Sequence, residues 1–509
     1  MKPLKLKPLS LEPLALRPLG YDDYNSTRYL IRNGFPCGAS YFCNTPLMLD
    51  GGQTFPVNVP PRVGERFLHH GGDTNEVAVI DLFSGDTKSG VTNTGEKVWI
   101  NGYEVTKFAI APGRYAGHNT GTYDGFTTAD YWIWSNRACE IEIRGGGNSR
   151  YQNVRVPLLE GLNPVKTATL NVSEIRRVFI DNRYTLVPDL KIAAIAQLTR
   201  TAYSINPIYI PTAGAPTTID TAAASAADLN GLTWDLTLPA NKWAWDLLDG
   251  LPSVEIIEAA YRTDFSLWSH QSNVTTEQVQ EGWKYSISES SGRAVIYTGA
   301  PTGIRVENSL SITPLVDTRI YMRISETSFD LLGTEKREII TRGEVDDNIH
   351  FFDTSGQTGD RFILHRASAK QLLPASGLLK INDTIIKPTL TQWQTIINKL
   401  NLISRGDGSA FLYVDNAGYL SATDGVNTCR SATPYTADTP FGAVLLFSDD
   451  GQMRIDMDGV MGTPTAFKGT FLDGSAVLKF GLDNEDIVMP GSILGRQGLK
   501  TLPTTAFRA

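Results

Sequence analysis

The sequence has few of the residues that would indicate a metalloprotein, a disulfide scaffold or a membrane protein. Its 509 residues include four cysteines and six histidines, and no Cys or His spacing suits a zinc site or a disulfide framework. No run approaches the roughly 20 consecutive apolar residues of a membrane-spanning helix, so we expect no membrane insertion. The net charge is −8, which argues against nucleic acid as a partner because phosphate neutralisation needs an excess of cations.

Short enzyme motifs are also missing. The sequence has no Gly-x-Ser-x-Gly elbow, no Gly-x-x-x-x-Gly-Lys phosphate loop and no His-Glu-x-x-His. Glu140 and Glu142 alternate in a strand pattern, where carboxylates usually form the solvated face. We therefore predict no catalytic residue, no cofactor and no metal site. A glycan depolymerase remains an alternative, since its carboxylates could come from distant strands.

Turn-forming residues are abundant in the sequence. The chain has 46 glycines and 27 prolines, interleaved with Thr, Asn and Asp, and this composition predicts many short strands. The run Cys139–Arg144 alternates with period two and predicts a half-buried strand. The run Leu190–Thr199 is the best candidate for a helical turn or two. We predict an all-β, multidomain protein made of β-sandwich or jelly-roll modules.

The first twenty residues form a pentapeptide repeat of Pro-Leu pairs. Proline at every fifth position forbids a helix and predicts an extended arm. The arm carries +3 and leaves −11 for the rest of the chain. We predict that it docks on a partner subunit, by augmenting a sheet edge or by filling pockets with leucines; a disordered leader, or an arm packed on its own domain, is the alternative. The predicted docking residues are Pro3, Leu4, Pro8, Leu9, Pro13, Leu14, Pro18 and Leu19.

Composition divides the chain into five contiguous segments. A β-rich N-terminal domain follows the arm, and a connector of strands, a short helix and a small-residue linker leads to two β-sandwich domains. The predicted ranges are 1–20 for the arm, 21–165 for the N-terminal domain, 166–227 for the connector, 228–385 for the first sandwich and 386–509 for the second.

The segment 228–385 resembles a carbohydrate-binding-module sandwich. The resemblance rests on the succession Asp264–Trp268, Gly282–Ile287 and Leu310–Arg323. Such modules bind glycans by stacking sugar rings on exposed aromatic faces. The resemblance makes Trp268 and Trp283 candidate glycan-binding residues, against the alternative that both belong to the core.

The last segment, 386–509, resembles a laminin-G or concanavalin-like jelly roll. The resemblance rests on Gly408–Asp415, Gly418–Gly425, Val444–Phe447 and Met453–Val460, separated by Asp, Gly and Asn turns. Members of this family bind glycans or proteins and are common at the tips of bacteriophage tail and fibre proteins. Trp393, at the start of this segment, is the third glycan-binding candidate.

Taken together, the arm and the lectin-like modules resemble a bacteriophage virion protein of the tail-fibre, tail-tip or capsid-fibre type. The resemblance implies a location on the particle surface or tail, other virion proteins as partners of residues 1–20, and a homotrimer as the favoured assembly. It also implies attachment to a glycan or protein of the host surface. The alternatives are a purely architectural head-surface, neck or tail component, or the glycan depolymerase named above.

Overall fold

A computed structural model describes residues 27–502 with internal gaps, so the predicted arm 1–20 lies outside the described residues. The gaps are 33–34, 43–46, 49–52, 69–73, 76–81, 84–89, 123–124, 146–151, 173–174, 200–211, 213–216, 219–230, 271, 289–292, 299–301, 323–326, 346–347, 354–356, 387–388, 395–397 and 481–491.

Strands make up nearly all of the described secondary structure, which confirms the predicted all-β, multidomain fold. Strands β1 to β8 are Arg28–Arg32, Phe35–Pro36, Ser40–Phe42, Leu47–Met48, Thr54–Phe55, Arg62–Val63, Arg66–Leu68 and Thr74–Asn75. Strands β9 to β19 are Val91–Ile100, Tyr103–Ile110, Tyr115–Thr122, Gly125–Ser135, Cys139–Gly145, Gln152–Leu158, Gly161–Leu162, Lys166–Val172, Ile175–Asp181, Leu190–Thr199 and Thr217–Thr218.

The second half of the chain continues in the same way. Strand β20 is Gly231–Asp235, helix α1 is Lys242–Asp249, and two short 3-10 helices are Ala259–Arg262 and Phe265–Leu267. Strands β21 to β31 are Leu251–Glu255, Ser269–His270, Val274–Val279, Gly282–Ile287, Arg293–Thr298, Arg305–Pro314, Thr318–Met322, Thr327–Leu331, Arg337–Glu344, Asn348–Asp353 and Gly359–Leu373. After β32, Gly377–Ile386, and helix α2, Leu390–Gln394, strands β33 to β42 are Lys399–Arg405, Ala410–Asp415, Tyr419–Thr423, Thr428–Pro434, Phe441–Phe447, Gln452–Met457, Thr465–Ala466, Val477–Phe480, Ser492–Leu494 and Gln497–Thr501.

The first and last described strands belong to one unit, which we call the core sandwich (28–68, 231–249 and 375–501). One of its sheets runs β2-β1-β42-β32-β37-β38-β39, and the facing sheet runs β3-β20-β40-β33-β34-β35-β36. The N-terminal strand β1 pairs with the last strand, with Arg28 opposite Leu499. The inner faces of the two sheets enclose a single apolar core, to which Leu30, Trp234, Phe411 and Phe447 all contribute. Burying one face of each sheet in this way is what stabilises a sandwich.

Two further sandwiches are inserted into the core sandwich. The first insert (91–199) packs the sheet β15-β12-β18-β10-β9, with β16 at its side, against β11-β17-β13-β14. The second insert (251–373) packs β23-β24-β31-β26-β29, with β21, against β22-β25-β30-β27-β28. The first and last residues of this insert are neighbours in space, since Leu251 pairs with Leu373.

This grouping of strands into three sandwiches differs from the contiguous ranges predicted from the sequence, 21–165, 166–227, 228–385 and 386–509. The jelly-roll range 386–509 supplies only part of the core sandwich, because β1, β3, β20 and β32 complete its sheets. The range 228–385 contains the second insert together with β20, α1 and β32, which belong to the core sandwich. Pairing between residues hundreds of positions apart leaves no mark in local composition, so composition does not show that these distant segments share sheets.

The prediction of a helical turn over Leu190–Thr199 is wrong. These residues form β18, which lies between β12 and β10 in the six-stranded sheet of the first insert. Ala194 and Ile195 point to opposite faces and both are fully buried. A strand covered on both faces shows a continuous apolar run instead of alternation, and periodicity cannot distinguish such a run from a buried helix.

The strand predicted at Cys139–Arg144 is present as β13, but its outer face is not uniformly solvated. Glu140 is exposed, whereas Glu142 is only 4% exposed. Arg155 on β14 donates to Glu142 at 3.2 Å, and Asp181 on β17 lies directly opposite it. Glu142 is buried because neighbouring strands flank it on both sides, which a single-strand pattern cannot show.

A network of buried charges joins the second insert to helix α1 of the core sandwich. The Arg342 side chain is fully buried and lies within 2.5 Å of Glu307 Oε2. It also pairs with Asp246 and donates to the Trp245 carbonyl oxygen at 3.0 Å. The network contains three cations and three anions, so its formal charges balance; its members are Lys242, Arg305, Arg342, Asp246, Asp249 and Glu307.

Acid is expected to weaken this junction through Glu307. Burial favours the neutral acid, but the charge of Arg342 and the hydrogen bonds from Lys242 and Arg342 outweigh it and hold the pKa of Glu307 below the usual 4.5. A lowered folded-state pKa gives stability that is present above the unfolded-state pKa and is lost as the pH falls through the folded-state pKa. The difference in thermal stability between wild type and Glu307→Gln should therefore be large near neutral pH and vanish in acid.

The control for this pH series is Glu338→Gln. Glu338 makes an ion pair with Arg366 in the same insert, but its side chain is 53% exposed. Exposed ion pairs contribute little, so this variant should follow wild type at every pH. A Glu307→Gln difference that does not change with pH would contradict the prediction.

Candidate functional site

A polar groove crosses the outer face of the core sandwich. It spans strands β33 to β36 of the seven-stranded sheet and has a volume of about 450 Å³. Pockets of roughly 300–1,000 Å³ are typical of small-molecule sites. The groove is lined by Asn398, Lys399, Tyr413, Asp415, Asn416, Ser421, Thr428 and Arg430.

Strand alternation creates this lining. Along β34, Leu412 and Val414 point into the apolar core, while Tyr413 and Asp415 point away from it. Cross-strand register then aligns the outward residues, because Tyr413 lies opposite Ser421, which in turn lies opposite Arg430. Residues that share one face of adjacent strands are neighbours in space. The groove is thus a direct consequence of the pairing of four consecutive strands.

Asp415 organises one end of the groove. Its Oδ1 accepts hydrogen bonds from the backbone amides of Ala417 and Tyr419 at 2.9 and 3.1 Å. Its Oδ2 accepts a hydrogen bond from the Ser421 hydroxyl at 3.2 Å and pairs with the Arg430 guanidinium. This carboxylate is therefore fully used in fixing the β34–β35 turn and the position of Arg430.

Two cations face the groove. The Arg430 guanidinium lies 4.7 Å from the ring centroid of Tyr419, and about half of its side chain is exposed. The Lys399 ammonium lies 4.8 Å from the ring centroid of Tyr413. Burial raises the pKa of the Tyr413 phenol, and a hydrogen bond with Thr428 opposes this. The uncharged Tyr413 side chain thus lies next to the exposed positive charge of Lys399.

This arrangement can bind a polar ligand but is poorly suited to hydrolysis. Two amides, the Thr428 hydroxyl, an ammonium and a guanidinium offer hydrogen bonds in several directions, as a polyhydroxylated ligand requires. Acid–base hydrolysis of a glycoside uses two carboxyl groups. Asp415 is the one carboxylate among the eight lining residues, and it is already engaged.

The structure places two of the three predicted tryptophans, Trp268 and Trp283, in the second insert and apart from this groove. Trp268 is 4% exposed in the core of the second insert, where its Nε1 donates to the Tyr261 carbonyl oxygen at 2.7 Å. Trp283 is partly buried and packs against the same core. Trp393 lies on α2, and its side chain is outside the described residues. Trp268 therefore presents no exposed face on which a sugar could stack.

An exposed tryptophan does occur elsewhere, at a position that the sequence analysis did not select. Trp99 is 66% exposed on β9, next to the tight turn at Asn101 and Gly102. Its neighbours Val98 and Ile100 face the apolar side of that hairpin. The alternation of side chains before the Asn-Gly turn could have predicted this exposure, since it directs Trp99 to the opposite face from Val98 and Ile100.

Neither a metal-ligand cluster nor a membrane-spanning helix is found among the described residues. No group of three or more His, Cys, Asp or Glu side chains in this part of the chain is arranged to hold a metal ion. None of the helices in the described ranges has the length and apolarity needed to cross a membrane.

Comparisons with known proteins give no family match for this chain. No family model matches it, and no curated protein matches it. Among solved structures, the CBM22-1-CBM22-2 tandem domain of Xyn10C from Paenibacillus barcinonensis aligns over 58% of this chain and 98% of its own, with 8% identity and a TM-score of 0.18. Vicilin from Solanum lycopersicum aligns over 58% and 80%, with 8% identity and a TM-score of 0.11. Similarities this low carry no argument about function.

Proposed function

We propose that this protein is a structural component of a bacteriophage particle that binds glycans of the host surface through the groove on β33 to β36. The particle role rests on the sequence resemblance, with the arm 1–20 as the contact to other virion proteins. The glycan-binding role rests on the groove. A homotrimer would present three grooves together and convert weak contacts into avidity.

The observation that carries the proposal is the pre-organised polar lining. Asp415, Ser421 and Arg430 hold one another in place, so the groove keeps its shape without a ligand. A site whose groups are already fixed loses less entropy when a ligand binds. Glycans offer many hydroxyl groups, which matches a lining dominated by amides, hydroxyls and charges.

Removing the two amides of the groove should weaken glycan binding. Asn398 and Asn416 are exposed, so Asn398→Ala/Asn416→Ala should leave the fold intact. Full-length protein on an array of bacterial capsular and lipopolysaccharide glycans should bind at least one glycan, and the double variant should bind it about tenfold or more weakly, as expected for two lost hydrogen bonds of roughly 1 kcal/mol each.

The matched control is Lys380→Met. Lys380 is exposed on β32, in the opposite sheet of the same sandwich, so its replacement should leave binding unchanged. Equal loss in both variants would show that the groove is not the binding site. Wild-type protein that binds no glycan on the array would instead favour a purely architectural role, and release of reducing ends from a bound glycan would favour a depolymerase.

A further inference from the structure

The charge of the groove is unusual for this protein. The chain as a whole carries −8, and −11 without its arm. The groove, in contrast, has two cations, Lys399 and Arg430, and one carboxylate, Asp415, which gives a local charge of +1. A positive site on an acidic body attracts an anion over a short range, because charges further away than about 8 Å are largely screened at physiological salt.

The two cations are not equivalent. Arg430 is neutralised by its pair with Asp415 and is held in place by the Tyr419 ring. The Lys399 ammonium contacts the Tyr413 ring, and a ring supplies no full negative charge. Among the described residues no carboxylate is paired with Lys399, so the unpaired charge of the groove lies on Lys399, which is exposed at the start of β33 next to Asn398.

We infer that the groove selects an acidic glycan, one whose bound sugar carries a single carboxylate, and that Lys399 determines this preference. The inference rests on the proposed glycan-binding function. An excess of one positive charge matches a monoanion such as a uronate. The carboxylate would accept a charge-assisted hydrogen bond from Lys399, while the remaining hydroxyls of the sugar meet the amides and the free edge of Arg430.

The test compares each ligand with its own neutral form. Full-length protein is titrated by calorimetry with galacturonate, glucuronate and mannuronate tetramers and with the same tetramers after reduction of their carboxyl groups. Wild type should bind at least one acidic tetramer about tenfold more tightly than the reduced form, the size expected for a charge-assisted hydrogen bond. This preference should decrease as salt is added.

Variants of Lys399 then assign the preference. Lys399→Met should bind the acidic and reduced tetramers equally, whereas Lys399→Arg should keep the preference because it keeps the charge. Lys380→Met removes the same charge from the opposite sheet and should behave as wild type.

Each contrary result has a separate meaning. Equal binding of both forms by wild type, or a preference that persists in Lys399→Met, would overturn the inference and leave glycan binding intact. Wild-type protein that binds neither these tetramers nor any glycan on the array would overturn both the inference and the proposed function.

Discussion

Replacing Arg342 by alanine is expected to destabilise the protein by about 3–5 kcal/mol, the range measured when one partner of a buried ion pair is removed. Arg342 is fully buried and contacts Glu307, Asp246 and two backbone carbonyl oxygens. Its loss leaves three anions facing two cations, with Asp249 fully buried among them. The guanidinium also lies 4.3 Å from the ring centroid of Trp245, so tryptophan fluorescence during denaturation should report the effect.

A second substitution tests whether charge balance is the cause. Glu307→Gln removes one anionic partner of Arg342, so the double variant Arg342→Ala/Glu307→Gln should be more stable than the two single effects added together. The control is Arg366→Ala, because the Arg366 side chain in the same insert is 58% exposed and pairs with Glu338 at 3.6 Å. That change should lower the free energy of unfolding by less than about 1 kcal/mol. Equal costs for Arg342→Ala and Arg366→Ala would refute the role of the network.

Local sequence patterns predicted the fold class and several individual strands. The alternation at Cys139–Arg144 corresponds to β13, and the run Gly408–Asp415 contains β34. Both depend on short-range chemistry: period-two alternation and turn residues at the ends. The same patterns failed at Leu190–Thr199, where burial on both faces removes the alternation.

The groove depends on information that no single segment contains. Lys399, Tyr413, Ser421 and Arg430 are adjacent only because four strands pair in one register. The resemblance to a carbohydrate-binding module indicated Trp268 as a glycan-binding candidate, but Trp268 is part of the core. A polar groove has no comparable signature, since each of its residues looks like an ordinary outward position on its own strand.

The C-terminal segment 386–509 expressed alone is expected not to fold, although its sequence resembles a complete jelly roll. Strand β32 lies between β42 and β37 in one sheet, and β20 lies at the β40 edge of the other. The fragment loses both strands and with them core residues such as Trp234 and Leu379. Circular dichroism and denaturant titration should show no cooperative transition, because the remaining strands cannot complete either sheet or cover the apolar core.

The second insert provides the opposite case within the same chain. Its sheets and its apolar core lie wholly within 251–373, and its two ends are paired through Leu251 and Leu373. A fragment of residues 251–373 should therefore unfold cooperatively, with Arg342 and Glu307 now partly exposed to water and still paired with each other. If 386–509 folds alone and 251–373 does not, the nested arrangement of sandwiches is wrong. If only 251–373 folds, the ends of the chain are parts of one domain that can form only after both inserts have been synthesised.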